Sequence, residues 1–387
     1  MNNLRVIVAV VSALYLAFNL LQCSSVSQNE STSSAQNPAT HSPSYHTPSM
    51  KGVCWVAGDS VAEHNIIEIS EIGVNYISQT PFGWMEGHQN PVVHGNFDRA
   101  WWGETDKGIT ETSELARAKG IKSMLKPHIW LHASNGSWRS DIAMKSEEEW
   151  TQWFDSYESW ILHYAQLAED AEIESLCIGT ELHQTIKRTD DWRHIIAEIR
   201  KIYHGEITYA ANWYQEYNDV KFWDDLDFIG IQGYFPLSKK DNPTKKDLLD
   251  GWAKHVGDLE SLAKAENKKI VFTEIGYKNT SDSAKEPWVW PRAIDSTVIR
   301  SDDLQKICYE ALFEAFWDKP WFDGIFLWKW FHSTHKFEDY SKYKVYRDSV
   351  RAERAKRRNR PISRNQIQFS PQGLEAMDVV AEWYLNR

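Results

Sequence analysis

Cysteine is scarce in this sequence, and the cysteines form no recognisable metal-binding or redox motif. The 387 residues contain four cysteines and no C-x-x-C pair, so neither a structural zinc site nor a thioredoxin-like redox site is indicated. Cys54 and Cys177 lie within segments that we predict to be strands, and we expect both to be buried free thiols. We predict neither a metal nor any other cofactor.

The sequence also has no excess of positive charge. Lys and Arg total 43 against 54 Asp and Glu, which gives a formal net charge of −11 at pH 7. We therefore predict no nucleic-acid partner. Residues 342–364 are an exception, with ten Lys or Arg against two acidic residues. A solvated helical insertion is the simpler interpretation, and a lid or a contact with an anionic surface is the alternative.

A long apolar run is missing from the N-terminus. Residues 6–21 are mostly apolar, but this is short of the roughly 20 residues that a membrane-spanning helix needs. The run ends in Leu20-Leu21-Gln22-Cys23, which resembles a bacterial lipoprotein signal, although Gln22 replaces the usual small residue. This resemblance implies lipidation of Cys23 and an exported, membrane-anchored protein in the periplasm or at the cell surface. An ordinary secretory signal is the alternative.

Three regions follow from this composition: a signal over residues 1–23, a polar segment over 24–50, and the remainder over 51–387. The polar segment is rich in Ser, Thr, Asn, Gln and Pro. It cannot bury enough apolar surface to offset its ordering entropy, so we predict a flexible tether. The last region is large for one domain but normal for an α/β barrel.

Short apolar runs alternate with helical patterns along residues 51–387. Runs of this kind indicate strands that are buried on both faces. The clearest helix begins at Ser146, with Glu149 completing a capping box before an aromatic stripe that we expect to face the core. Eight strand–helix units predict an α/β fold, the (β/α)8 TIM barrel. The predicted strands are 52–57, 76–81, 123–128, 176–181, 207–212, 228–234, 270–277 and 324–330.

Two of these predicted strands carry the same dipeptide, Thr-Glu, at or near their carboxyl ends. Glu181 and Glu274 lie 93 residues apart in the chain, each following a buried apolar run. An acid at the end of a buried strand is costly unless it is used or paired. Because active sites of such barrels lie at the carboxyl ends of the strands, we expect the two carboxylates to share one site. A pair of carboxylates is what a retaining glycoside hydrolase needs.

Other polar and aromatic side chains lie at the predicted strand ends and are candidates for substrate contact. The sequence also contains 20 Trp, and aromatic rings provide surfaces on which apolar sugar faces stack. The candidates that we assign to substrate binding are Lys126, His128, Trp138, Asn212, Tyr234 and Trp328. Further residues at strand ends are His183, Trp213, Gln232, Tyr277 and Trp330.

Several stretches resemble glycoside hydrolase family 113, a clan A family whose characterised members are β-mannanases. These stretches are residues 124–128, 136–139, 178–181, 272–277 and 369–373. The resemblance implies that Glu181 is the acid/base and Glu274 the nucleophile. Most of clan A has Asn before the acid/base, where this chain has Thr180. That Asn contacts the sugar 2-hydroxyl, so this contact must be made differently here.

The sequence therefore predicts a monomeric, exported enzyme that cleaves β-1,4-linked mannan-type polysaccharide or oligosaccharide by double displacement. The two carboxyl groups should lie about 5–5.5 Å apart. Tyr234 is expected to hydrogen-bond Glu274, and the nearby carboxylate is expected to keep Glu181 protonated. Two alternatives stay open: another β-glycoside specificity on the same barrel, and a non-catalytic carbohydrate-binding surface lipoprotein.

Overall fold

The computed structural model describes residues 46–95, 100–289, 299–332, 345, 349 and 367–387. The predicted signal with Cys23, residues 24–45 of the tether and nearly all of the basic segment 342–364 lie outside these residues. The larger compact unit of the chain is Tyr45–Arg387. No helix within the described residues is long and apolar enough to span a membrane.

Eight parallel strands close into a barrel, which confirms the predicted fold. The ten described strands are β1 (Met50–Trp55), β2 (Tyr76–Gln79), β3 (Phe82–Met85), β4 (Lys122–Leu125), β5 (His128–Leu131), β6 (Ser175–Thr180), β7 (Glu206–Asn212), β8 (Ile229–Gln232), β9 (Ile270–Ile275) and β10 (Phe322–Trp330). The barrel order is β1-β10-β9-β8-β7-β6-β4-β2, and β3 pairs with β5 in a separate sheet.

Eight helices are described around the barrel. They are α1 (Glu63–Ser70), α2 (Asp106–Arg117), α3 (Glu147–Asp170), α4 (Thr189–Arg200), α5 (Glu216–Asp219), α6 (Lys245–Glu266), α7 (Asp302–Phe316) and α8 (Glu375–Asn386). Short 3-10 turns lie at Trp102–Glu104, Arg139–Asp141, Thr185–Lys187 and Trp223–Asp225. The apolar faces of the helices pack on the strands and form the main hydrophobic core.

Helix α3 begins where the sequence predicts it. The Oγ of Ser146 accepts a hydrogen bond from the backbone N–H of Glu149 at 3.2 Å. The Glu149 carboxylate accepts from the N–H of Lys145 at 2.7 Å, one residue before the N–H that a capping box uses. The aromatic stripe, including Trp153 and Tyr157, is buried, which confirms that it faces the core.

Two of the barrel strands that end earlier than predicted, β2 and β4, are each followed closely by a proline. β2 ends at Gln79 and β4 at Leu125, because the nearby Pro81 and Pro127 have no N–H to continue the ladder. The chain then resumes as β3 and β5, which pair in parallel with Phe82 opposite His128. His128 therefore begins an outer strand and does not end a barrel strand.

The N-terminal end of the barrel holds residues that we had assigned to the tether. Met50 is the first residue of β1. The ring Nε2 of His46 lies 2.7 Å from the carbonyl oxygen of Phe322, and the Ser49 hydroxyl donates to Asp323 at 2.8 Å. The folded part thus starts a few residues before the predicted boundary at residue 51.

A small apolar layer fills the barrel interior below its carboxyl end. It includes Cys54, Cys177, Met124 and Phe326. Cys54 and Cys177 are buried free thiols, as predicted, and Cys308 is a third. This layer lies beneath the strand ends that carry the candidate site residues.

Candidate active site

A cavity of about 1280 Å³ opens at the carboxyl ends of the barrel strands, where active sites of this fold lie. Seven of the eight predicted site residues line it, and Lys126 is the exception. These seven are His128, Trp138, Glu181, Asn212, Tyr234, Glu274 and Trp328. The structure therefore brings both candidate catalytic carboxylates to one cavity.

Three donors hold the carboxylate of Glu274. Its Oε1 accepts from the Tyr234 hydroxyl at 2.6 Å. Its Oε2 accepts from the Gln232 amide at 2.9 Å and from the Lys126 ammonium at 3.1 Å. Three donors on two oxygens orient a carboxylate and stabilise its negative charge. Gln232 makes one of these contacts, although sequence analysis placed it only among the further strand-end candidates.

Lys126 occupies a different place from the predicted substrate contact. It is completely buried and donates to Glu274 and to the backbone oxygen of Thr273, each at 3.1 Å. Burial is the largest single influence and disfavours the charged form, but the charge of Glu274, smaller contributions from Cys54 and Cys177, and the hydrogen bond to Glu274 together hold the pKa of Lys126 above its usual value. Lys126 is thus a buried counter-ion of Glu274 and does not line the cavity.

Glu181 has a different set of neighbours. The indole N–H of Trp138 donates to its Oε2 at 2.8 Å, and the amide of Asn212 donates to its Oε1 at 3.3 Å. The Nε of Arg139 lies 3.7 Å from Oε2. The backbone φ of Glu181 is +54°, a left-handed conformation that is uncommon outside glycine. Strain of this kind clusters at functional sites.

These surroundings raise the pKa of Glu181. Burial is the largest cause, since the side chain is only 12% exposed, and the Arg139 guanidinium opposes it. The charge of Glu274 raises the pKa further, and the hydrogen bond from Trp138 lowers it. The neighbouring carboxylate, which we had expected to be the main cause, thus comes second to burial. Arg139 itself was missed as a site residue, although it directly follows Trp138 in the chain.

Two buried basic residues that line the cavity, His128 and Arg139, have side-chain nitrogen atoms with no hydrogen-bond partner among the described residues, although the Nε of Arg139 also lies in the ion pair with Glu181. These atoms are the Nε2 of His128 and the Nε and one terminal nitrogen of Arg139. Burial, followed by the charges of Arg139 and Lys126, lowers the pKa of His128 well below its usual value. A neutral imidazole and a guanidinium thus lie side by side at the cavity lining. Among the described residues, no group of three His, Cys, Asp or Glu side chains could hold a metal ion.

Aromatic rings form two walls of the cavity. On one side, Trp130 and Trp138 meet edge to face, with ring centroids 6.4 Å apart. On the other side, Trp213 and Trp288 stack at 4.8 Å. Trp328 also lines the cavity. Trp130 and Trp288 lie in segments where no strand end was predicted, so the only sequence signal for them was the high tryptophan content.

Three of the other strand-end candidates lie away from the cavity lining. The ring of His183 pairs with Asp219 at 2.9 Å. Tyr277 and Trp330 are buried within the main hydrophobic core. Inward and outward positions alternate along a strand, so a strand end identifies the edge of the barrel but not the face on which a side chain lies.

Comparison with known proteins identifies the family. The model of glycoside hydrolase family 113 matches residues 51–348, well over half of the chain. The chain belongs to glycoside hydrolase family 113. It is therefore a glycoside hydrolase. The match ends before residues 369–373, the last of the stretches from which we had inferred the resemblance.

Solved family 113 structures have the same fold as this family 113 chain. The β-mannanase of Alicyclobacillus acidocaldarius, in complex with ManMIm, is 27% identical, with a TM-score of 0.70 over 87% of this chain and 97% of its own. A family 113 β-1,4-mannanase, solved as a complex, is 25% identical, with a TM-score of 0.70 over 88% and 100%. A comparison with curated proteins gives no significant match.

Proposed function

We propose that this family 113 enzyme is a retaining β-mannanase that hydrolyses β-1,4-linked mannan-type chains by double displacement. The observation that carries the mechanism is the contrast between two carboxyl groups on one cavity. Glu274 accepts from three donors, whereas burial raises the pKa of Glu181. Such a contrast separates a nucleophile from a proton donor. The mannan specificity is supported by the solved relatives, which are described as β-mannanases.

In the first step, Glu274 attacks the anomeric carbon while Glu181 protonates the leaving oxygen. Trp138 and Asn212 both donate to Glu181, so neither can accept its proton. The glycosidic oxygen of a bound substrate then becomes the acceptor for that proton. Tyr234, Gln232 and Lys126 keep Glu274 oriented for attack.

In the second step, Glu181 acts as the general base that activates water. Formation of the glycosyl-enzyme neutralises Glu274, so the like charge that raises the pKa of Glu181 disappears. The Arg139 guanidinium and the Trp138 N–H then favour the ionised form of Glu181. Water attacks the intermediate, and two inversions give net retention.

Azide rescue tests these two roles. Glu274→Ala should lose nearly all hydrolysis, because no covalent intermediate can form, and azide should give it the α-glycosyl azide by one inversion. Glu181→Ala should still react with an aryl mannoside that has a good leaving group, and azide should rescue it with the β-glycosyl azide. Glu104→Ala, which alters a third acid lining the cavity, should give no azide product. Exchanged products would mean that the roles are swapped.

A panel of β-1,4-mannan, glucomannan, xylan and cellulose tests the specificity. Release of sugars from the two mannans, with little from xylan or cellulose, would support the proposal. Preference for xylan or cellulose would favour another β-glycosidase on the same barrel. No release from any of the four by a folded protein would favour a non-catalytic binding protein, although both carboxylates are present.

We also propose that Cys23 anchors the enzyme to a membrane, facing the periplasm or the cell exterior. The support is the apolar run that ends in Leu20-Leu21-Gln22-Cys23 and the polar segment that follows it. A single acyl chain holds a protein only weakly, so more than one would be needed. Cys23→Ala should abolish labelling by a fatty-acid analogue. Unchanged labelling would rule the anchor out.

A further inference from the structure

A third carboxyl group, that of Glu216, lies buried behind Glu181 and takes no part in the chemistry above. Its residue is 0% exposed and does not line the cavity. It begins α5, the single turn that follows β7. Burial of a carboxyl group is costly unless hydrogen bonds satisfy it, so its contacts indicate what it is for.

The Glu216 carboxyl group connects to both sides of Glu181. Its Oε2 accepts from the backbone N–H of Asn212 at 2.9 Å, and its Oε1 accepts from the Tyr209 hydroxyl at 2.5 Å. The Tyr209 oxygen in turn accepts from the backbone N–H of Leu182 at 2.7 Å. Asn212 contacts Glu181 by its side chain, and Leu182 follows Glu181 in the chain.

The Leu182 connection supports a strained backbone. Glu181 is a non-glycine residue at φ +54°, a conformation that is energetically unfavourable and persists only where its surroundings hold it. The N–H of Glu181 donates to the Ala210 carbonyl at 2.9 Å, and the next N–H, of Leu182, donates to Tyr209. These two consecutive bonds tie the left-handed turn to β7, and Glu216 holds the second of them.

The Asn212 connection directs a side chain. The Oδ1 of Asn212 accepts from the backbone N–H of Tyr214 at 3.2 Å. This bond leaves the amide nitrogen to face the Oε1 of Glu181 at 3.3 Å. Because Glu216 holds the backbone N–H of Asn212, it also fixes the point from which this side chain extends.

We propose that Glu216 is a positioning residue for Glu181, acting through Asn212 on one side and through Tyr209 and Leu182 on the other. The proposal rests on the acid/base role proposed above for Glu181. Burial raises the pKa of Glu216 to about 8, against the hydrogen bonds from Tyr209 and Asn212, and the charge of Glu181 adds to the increase. The hydrogen bonds from Tyr209 and Asn212 thus offset part of the cost of burying this carboxyl group.

Two variants test this positioning role. Each of them removes a different part of the hydrogen-bond chain that links Glu216 to Glu181. Glu216→Gln keeps the shape of the side chain but cannot accept from both Tyr209 and Asn212 without rearrangement. Tyr209→Phe removes the hydroxyl and leaves the carboxyl group in place. The matched control is Tyr203→Phe, since Tyr203 is equally buried and donates to the carbonyl of Ile173 at 2.7 Å, outside the cavity lining.

The measurement is kcat/KM for two substrates that differ in how much they need a proton donor. These are a mannan oligosaccharide, whose leaving group is a sugar, and a dinitrophenyl β-mannobioside, whose leaving group needs little protonation. Displacing a catalytic group by about 1 Å costs on the order of 100-fold. We expect both variants to lose about 10- to 100-fold on the oligosaccharide and less than about threefold on the dinitrophenyl substrate. Tyr203→Phe should change both alike.

The outcomes separate this inference from the proposed function. Equal losses on both substrates, or no loss on either, in a variant with a native circular dichroism spectrum would overturn the positioning role. Glu181→Ala is measured in parallel. If it shows the split and the two variants do not, only the inference falls. If Glu181→Ala shows no split, the acid/base assignment fails and takes the inference with it. Tyr209→Phe decides the matter if Glu216→Gln does not fold.

Discussion

Replacing Trp138 with Phe should move the basic limb of the kcat/KM pH profile to higher pH. That limb reports the loss of the proton that Glu181 gives to the leaving group. The Trp138 indole donates to Glu181 at 2.8 Å and so stabilises its ionised form. Without this donor the acid holds its proton more tightly, its pKa rises, and the protonated enzyme persists to higher pH. The ring of Phe keeps most of the apolar surface.

The size of the shift follows from the hydrogen bond. A bond to a charged group contributes about 1.5–3 kcal/mol, and one pKa unit corresponds to about 1.36 kcal/mol. The full effect would therefore be about 1–2 units. Trp138 is 45% exposed, so water can partly replace the lost donor. We expect a shift of about one unit, at the lower end of this range.

The assay is the pH dependence of kcat/KM on a mannan oligosaccharide. Trp130→Phe is the matched control, because Trp130 is 51% exposed, packs edge to face on Trp138 and also lines the cavity. It makes no hydrogen bond to Glu181 among those described, so its basic limb should stay in place. A limb that is unmoved in Trp138→Phe, or moves to lower pH, would refute the assignment of that limb to Glu181.

Three further predictions concern stability and metals. Lys126→Met should lower the free energy of unfolding by about 3–5 kcal/mol in urea denaturation, because it leaves Glu274 buried without its cation. The control, Lys246→Met, removes an exposed ion pair with Asp250 and should change the free energy of unfolding little. Equal losses in the two variants would contradict the reasoning. Ser146→Ala should cost about 1 kcal/mol in the same assay, since it removes the cap of α3, and no change would contradict that. EDTA should not alter the hydrolysis rate, as both proposed catalytic carboxylates already accept hydrogen bonds; a loss that one divalent ion restores would show otherwise.

The barrel was predictable because its signals are local. Apolar runs identified all eight barrel strands, and the pair Ser146 and Glu149 identified the start of α3. What the sequence missed was the small sheet of β3 and β5. Each of these strands is four residues long and continues a barrel strand past a proline. The predicted strands run only to residues 81 and 128, so neither of these short strands was predicted.

The site was predictable only as far as chain position determines it. Strand ends brought Glu181, Glu274 and Tyr234 to one edge of the barrel, and the structure places all three on the cavity. Chain position did not show that Lys126 is buried beside Glu274 as its counter-ion, since burial depends on side chains from other strands. Nor did it identify Glu216, whose partners Tyr209 and Asn212 lie on the preceding strand.

Thr180, the residue before the proposed acid/base Glu181, differs from the Asn of the clan A pattern, and the amide beside Glu181 comes from another strand. Thr180 is buried in β6 and lies outside the cavity lining, so it cannot contact a sugar as the Asn of the clan A pattern does. An amide still lies beside Glu181, but it comes from Asn212 at the end of β7, and both of its ends are engaged by protein. We therefore expect the sugar contact to come from another polar side chain of the cavity lining, and Arg139 and His128, which have nitrogen atoms without a hydrogen-bond partner among the described residues, are candidates.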